Sequence, residues 1–149
     1  MKVVIQRVLS SSVEVDNKIV GKINEGLTIL VGFSKNDTYE KIDKIVNKII
    51  KLRIFDDNNH IMNKSILDIG GSILSISQFT LYANVKKGNR PSYIDAMKSS
   101  EAEKLYDYFN NELSKYIEVK QGIFGSNMKL NIENNGPVTI IIEEWLNVF

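Results

Sequence analysis

The chain has 149 residues, 43% hydrophobic and 25% charged, with 19 basic against 18 acidic side chains. That length suits one domain, residues 1–149, with a continuous apolar core. A net charge of +1 excludes a globally basic nucleic-acid coat and a highly charged disordered tail, so any RNA partner must be met by local patches. The chain has no cysteine, which excludes disulfide scaffolds, thiolate nucleophiles and cysteine-bound zinc; a single histidine, His60, excludes multi-histidine metal sites.

No apolar run approaches the roughly 18–20 residues needed to cross a bilayer, and the N-terminus lacks the apolar core of a signal peptide. The expectation is a cytoplasmic domain with no membrane partner. Any catalysis must work with few of the usual side chains.

The first third reads as β-structure. Val3-Val4-Ile5, Ser12-Val13-Glu14-Val15 and Lys18-Ile19-Val20 are short β-branched runs, with a hairpin turn at Asp16-Asn17. Gly26 precedes residues 27–33, a nearly continuous apolar run suited to a strand buried on both faces. Asp37 with Glu40 has capping-box spacing, and Ile42, Ile45, Val46, Ile49 and Ile50 then recur at helical intervals. Lys41, Lys44, Lys48 and Lys51 form a polar stripe on that helix, read as a solvated face in preference to a phosphate-contacting ridge.

Asp56-Asp57-Asn58-Asn59 and Gly70-Gly71 mark turns. Residues 73–82 predict a strand running out to an edge, and the loop that follows carries Lys86, Lys87 and Arg90. Ser100 and Glu103 repeat the capping-box spacing before an apolar stripe of Ala102, Leu105, Tyr106, Phe109 and Leu113. Gly122 and Gly125 bracket a turn, and Met128, Leu130 and Ile132 alternate with polar residues as in a half-buried strand. Asn134-Asn135-Gly136-Pro137 is expected to break it before a last strand over residues 138–142. The sum is a single α+β domain with two amphipathic helices.

Familiar catalytic patterns are missing. His60 follows a polar turn and makes a poor triad member; no P-loop and no glycine-rich dinucleotide fingerprint follows a strand. The acidic residues lack the spacing of a metal loop, so no metal is expected. Two segments stand out. Ser77-Gln78-Phe79-Thr80-Leu81 reads either as a strand leaving the core or as a strand-end platform of backbone N–H groups, an amide and a hydroxyl. Asn134-Asn135-Gly136-Pro137-Val138-Thr139 reads either as a turn or as a rigid loop presenting carbonyl oxygens, with Gly136-Pro137 open to the cis form.

At these two segments the sequence resembles the D-aminoacyl-tRNA deacylase family. Collinear supporting matches are Gln6-Arg7-Val8, Asn36-Asp37-Thr38, Leu52-Arg53-Ile54-Phe55, Lys87-Gly88-Asn89-Arg90-Pro91-Ser92 and Phe124-Gly125 before Met128. They span residues 1 to about 142; the tail over residues 145–149 lies outside the motifs.

The resemblance implies a β-barrel-like α+β fold and a homodimer with no DNA partner and no cofactor. Each active site would combine Ser77, Gln78, Phe79 and Thr80 of one subunit with the Gly136, Pro137, Val138 and Thr139 loop of the other. It also implies hydrolysis of the ester joining a D-amino acid, or mischarged glycine, to the 3′-terminal ribose of tRNA. Such an ester is already activated, and the substrate's 2′-hydroxyl can help position water. Backbone donors at Phe79 and Thr80 would then carry the oxyanion, with Thr80 as a nucleophile the alternative. Arg7 would pair with a carboxylate or carbonyl and fix the Gly136-Pro137 loop across the dimer, as the resemblance implies, or else is an ordinary surface arginine. Lys86, Lys87 and Arg90 either contact the tRNA backbone or belong to a solvated loop. The competing class is a non-catalytic RNA- or nucleotide-binding module in which Phe79 and Tyr82 stack on bases.

Overall fold

A computed structural model of the chain describes residues 1–143. The tail noted at residues 145–149 lies outside the described residues. The first strand, β1 (Lys2–Val15), is one 14-residue element where the sequence suggested separate runs. Asp16 and Asn17, at φ 50° and 63°, turn it into β2 (Lys18–Ile23), the positive φ pair of a type I′ hairpin.

Strand β3 (Gly26–Gly32) returns antiparallel to β1 and leads to helix α1 (Tyr39–Lys51). A small hairpin of β4 (Phe55–Asp56) and β5 (Met62–Lys64) follows, then a four-residue helix α2 (Ile66–Ile69). Strand β6 (Ser72–Ser77) runs parallel to β3. Helix α3 (Ser99–Ser114) crosses over to β7 (Glu118–Gln121), parallel to β6, and β8 (Lys129–Ile142) closes the described chain against β1. The sheet order is β2-β1-β3-β6-β7, with β8 added on β1.

Two apolar clusters show how the sheet curves. On one face, Val3, Ile5, Leu27, Ile29, Val31 and Ile73 pack against Ile42, Ile45, Ile49, Leu105, Phe109 and Leu113 of the two long helices. On the other, Val8, Val13, Ile23, Leu74 and Ile76 meet one another and Leu130 and Ile132 of β8. Residues from β1, β2, β6 and β8 therefore share one interior, so the sheet curls into a nearly closed barrel with α1 and α3 outside it. This is the α+β, barrel-like architecture that the family resemblance implies.

Several local expectations are corrected. The strand predicted over residues 73–82 stops at Ser77; Phe79–Tyr82 is a turn of 3-10 helix, and β6 is internal to the sheet, between β3 and β7. The N-cap of α1 is Thr38, whose side chain accepts from the Lys41 N–H. Asp37 is instead a buried counter-ion: it accepts from the Met1 α-ammonium at 2.6 Å and from the Ser34 N–H at 2.6 Å. The Ser100–Glu103 box is not formed, because α3 begins at Ser99 behind Lys98 with no side-chain cap. The hairpin strands β4 and β5, the helix α2 and the strand β7 are too short for periodicity to reveal.

The largest correction concerns the end of the chain. Asn134-Asn135-Gly136-Pro137 does not separate two strands; β8 runs through it, bent by a bulge. Asn134 pairs with Val8 and Thr139 pairs with Gln6, so four residues oppose Arg7 alone. An outer strand with a bulge is where a sheet can hold a proline, which has no N–H to give the ladder.

Gly136 sits in that bulge at φ 127°, a conformation L-residues rarely adopt. A Cβ there would stand 3.0 Å from Val138 Cγ2 and 3.1 Å from Arg7 Nη2. Gly136→Ala is expected to cost about 1–3 kcal/mol in urea unfolding. Unchanged stability would show that the bulge relaxes freely.

Candidate active site

The first signature segment lies where two parallel strands end. Strands β3 and β6 run side by side from Gly26 opposite Ser72 to Val31 opposite Ser77. The Gln78 N–H then donates to the Val31 carbonyl at 2.7 Å, the last backbone bond before the chain departs. Gly32 allows this approach: a Cβ there would lie 2.7 Å from the Gln78 carbonyl oxygen. Carboxyl ends of parallel strands are where loops leave a sheet and leave room for a ligand.

From Gln78 the chain enters the 3-10 turn. Leu81 N–H donates to the Gln78 carbonyl at 3.3 Å and Ala83 N–H to the Thr80 carbonyl at 3.0 Å. The first amides of such a turn have no partner within it. Gln78 does not cap them with its side chain. Its Nε2 donates instead to Thr80 Oγ1 in a short hydrogen bond. The N–H groups of Phe79 and Thr80 are thus left as a pair of donors beside an ordered amide and hydroxyl.

A cleft of about 500 Å³ opens along this segment. Ser77, Gln78 and Phe79 form one wall, and Phe33, Met97, Phe124 and Met128 contribute much of the rest; no charged side chain lines it. Phe79 is exposed and meets Tyr93 edge to face, with ring centroids 5.0 Å apart. Behind Phe124, Tyr106 donates its hydroxyl to the Ser75 carbonyl at 2.7 Å, and burial pushes that hydroxyl above the usual phenol pKa. Phe124, Gly125 and Met128, which carry part of the family resemblance, line the same cleft as the strand end.

The second segment is elsewhere on the chain. Gly136 and Pro137 are exposed on β8, and the peptide bond between them is cis. Val138 is partly buried, and Thr139 is exposed opposite Gln6 of β1. Among the described residues no hydrogen bond joins residues 77–80 to residues 136–139. Arg7 does reach the loop, but within its own chain: Nε donates to the Asn135 carbonyl at 3.0 Å. This contact lies within one chain because the bulge in β8 faces Arg7 directly. Nη1 donates to the Ile54 carbonyl at 2.8 Å and to Asp56 at 3.3 Å.

Lys86, Lys87 and Arg90 lie on a loop closed by reciprocal backbone bonds between Asn84 and Ser92. All three are exposed and none forms an ion pair among the described residues. The loop begins two residues after the 3-10 turn, so it flanks the cleft's rim. The lysine stripe on α1 is partly used locally, since Lys41 donates to the Asn36 carbonyl at 3.2 Å. His60 is exposed in the β4–β5 turn at φ 61°. No cluster of three or more histidine, aspartate or glutamate side chains suited to a metal occurs among the described residues. No helix among them is long and apolar enough to cross a membrane.

A protein named D-aminoacyl-tRNA deacylase from Sulfurihydrogenibium sp. (strain YO3AOP1) is 54% identical over 143 residues, covering 96% of this chain and 97% of the relative. Another of that name, from Clostridium botulinum (strain 657 / Type Ba4), is 52% identical over 144 residues, with 96% and 97% covered. Among solved structures, one described as "c-Myc DNA Unwinding Element Binding Protein" superposes with a TM-score of 0.91 at 40% identity, covering 97% of this chain and 99% of that one. A second, described as "Structural Analysis of a probable eukaryotic D-amino acid tRNA deacylase", gives a TM-score of 0.81 at 20% identity over 95% and 97%, and shows the shared fold. The family profile described as D-Tyr-tRNA(Tyr) deacylase matches residues 4–143, and this chain belongs to that family.

Proposed function

We propose that this protein is a hydrolase that cleaves the ester between a D-amino acid and the 3′-terminal ribose of tRNA. The observation that carries the reading is the uncapped pair of amides at Phe79 and Thr80, at the strand end whose Ser77, Gln78 and Phe79 line an uncharged cleft. Two adjacent unpartnered N–H donors suit an ester carbonyl whose oxygen becomes negative in the transition state. A low-dielectric wall strengthens them there.

The cleft suits the terminal nucleoside. Its volume of about 500 Å³ is typical for a small-molecule site, and exposed Phe79 and Tyr93 offer faces and edges to a base. With the nucleoside seated, the 3′-ester lies over the strand end. Water attacks the ester carbon, the bond from that carbon to the ribose 3′-oxygen breaks, and the 3′-oxygen leaves with a proton. The products are a free amino acid and tRNA with its 3′-hydroxyl restored. The substrate's 2′-hydroxyl is placed to orient the water, so the protein supplies position and charge stabilisation.

Thr80 fits a positioning group better than a nucleophile. A threonine nucleophile needs a base to take its proton. Here Thr80 Oγ1 receives a hydrogen bond from the Gln78 amide, which is no base. The hydroxyl hydrogen remains free to point at substrate.

Stereoselection belongs to the Gly136-Pro137 loop. Its two carbonyl oxygens can accept from the α-ammonium of the aminoacyl group, which offers three donors. With the ammonium and ester carbon fixed, a D-residue directs its side chain to open space and an L-residue drives Cβ into the loop. Glycine has no Cβ to exclude, so mischarged glycine is also a substrate. The loop reaches the site from a second copy of the chain, in a homodimer. Support for this lies in its exposure on β8, whose outer edge pairs with no strand among the described residues. An unpaired outer strand is a surface that natural proteins cover. Lys86, Lys87 and Arg90 meet the phosphates of the acceptor end. The cell compartment that fits this substrate is the cytoplasm.

Incubation with D-tyrosyl-tRNA and L-tyrosyl-tRNA tests the reading: the D-ester is expected to disappear and the L-ester to persist. Equal lifetimes would instead favour a non-catalytic RNA-binding module. Thr80→Ala removes about one neutral hydrogen bond, worth about 1 kcal/mol, so single-turnover rate should fall no more than about tenfold. A near-complete loss with tRNA binding intact would restore the nucleophile. Neutralising Lys86, Lys87 and Arg90 together should make the negative slope of log affinity against log salt shallower by about 2–3. An unchanged slope would assign the loop to solvent.

A further inference from the structure

Residues 52–55 carry part of the family resemblance, yet the deacylation described above assigns them nothing. They end at the β4–β5 hairpin, and that hairpin touches the stereoselective loop through one side chain. We propose that Asp56 is a positioning residue for stereoselection, acting through Arg7 on the bulge that holds Gly136 and Pro137. The inference rests on the deacylase reading and names a control on that same site.

The bulge explains why a side chain is needed. Residues 135–138 have no ladder partners, since the register jumps from Asn134 opposite Val8 to Thr139 opposite Gln6. Backbone pairing therefore fixes the two ends of this stretch and not its middle. Arg7 fills the gap, with Nε donating to the Asn135 carbonyl at 3.0 Å, one peptide before Gly136.

The guanidinium is a rigid planar fork, so whatever fixes one arm directs the other. Its Nη1 arm is fixed twice at the end of β4, by the Ile54 carbonyl at 2.8 Å and by Asp56 Oδ1 at 3.3 Å. Asp56 is also the one carboxylate paired with Arg7 among the described residues. The Arg7 side chain is 8% exposed and that of Asp56 is 47% exposed. A nearly buried cation thus has its counter-charge at the surface. Loss of that charge leaves the core packing untouched but loosens the orientation of the fork.

The test compares Asp56→Asn, Asp56→Glu and Asp57→Asn with the wild-type protein. Asp57 is the control: its carboxylate accepts from the Asn59 and Ile61 N–H groups and organises the hairpin turn without contacting Arg7. The readout is the ratio of kcat/KM for D-tyrosyl-tRNA to that for L-tyrosyl-tRNA. Changes in general tRNA affinity cancel in it, and a merely structural role does not move it. Asp56→Asn is expected to lower the ratio about fivefold to tenfold, with the thermal midpoint within about 2 °C of wild type. Asp56→Glu should recover most of the ratio, and Asp57→Asn should leave it unchanged. An unaltered ratio in Asp56→Asn, or an equal fall in Asp57→Asn, overturns the inference. Wild-type protein that leaves D-tyrosyl-tRNA intact overturns the deacylase reading and this inference with it.

Discussion

One strand holds three others. β1 pairs with β3 over its first half, with β2 over its second, and with β8 along both. Its two faces cannot both follow one alternation, because Val3 and Ile5 face the helices while Val8 and Val13 face the barrel interior. An odd separation between Val8 and Val13 would ordinarily place them on opposite faces. The register shifts around residues 6–10 are the solution, and they are what bends the sheet toward closure. The same irregularity pushes residues 135–138 out of the ladder. The loop proposed for stereoselection thus lies where the pairing of β1 with β8 is interrupted, and Arg7 sits opposite that interruption.

The chemistry follows from the scarcity of reactive side chains. An aminoacyl ester needs little activation, and the chain offers a donor pair at a strand end, a neutral amide and hydroxyl, and an uncharged cleft. Backbone amides have two advantages in this setting. They are fixed by the parallel strands beneath them, and they carry no proton to lose within the working pH range. In the proposed reading selection is likewise a matter of backbone, with carbonyl oxygens at Gly136 and Pro137 accepting from the ammonium and the side chain left alone. A site of this kind accepts many D side chains and reads only handedness.

Much of this was legible in the sequence, and the exceptions have physical causes. The long helices announce themselves through periodic isoleucine and aromatic residues, and the continuous apolar run of β3 marks a strand buried on both faces. Both signature segments could be found by composition. Their geometry could not: alternation over residues 73–82 continues past Ser77, although the backbone there has already turned into a 3-10 helix. Asp37 shows why spacing alone misleads, since a carboxylate three residues before a glutamate serves equally as N-cap or as buried counter-ion. Only the position of Met1 decides between them. Gly-Pro reads as a strand breaker until the pairing with β1 is known, because tolerance of proline depends on whether the strand lies at the outside of the sheet. The partners of Arg7 were invisible for the same reason: they come from positions 54, 56 and 135, far apart in sequence.

Charge and chemistry are kept apart in space, and the near-neutral composition is the sum of that arrangement. No charged group lines the cleft, so none competes with the amide pair for the developing oxyanion. The free cations Lys86, Lys87 and Arg90 stand on a loop outside it, where water screens them within about 8–10 Å. There they can attract a polyanion without biasing the ester toward either enantiomer. Arg7 is the exception that fits the scheme. It is a buried cation next to the bulge of β8, with its charge balanced by Asp56 and its Nε and Nη1 donating to carbonyl oxygens. An unbalanced cation at that place would repel the substrate's ammonium, the group the loop is proposed to hold. A guanidinium used as a brace therefore requires a carboxylate beside it, and Asp56 meets that electrostatic condition.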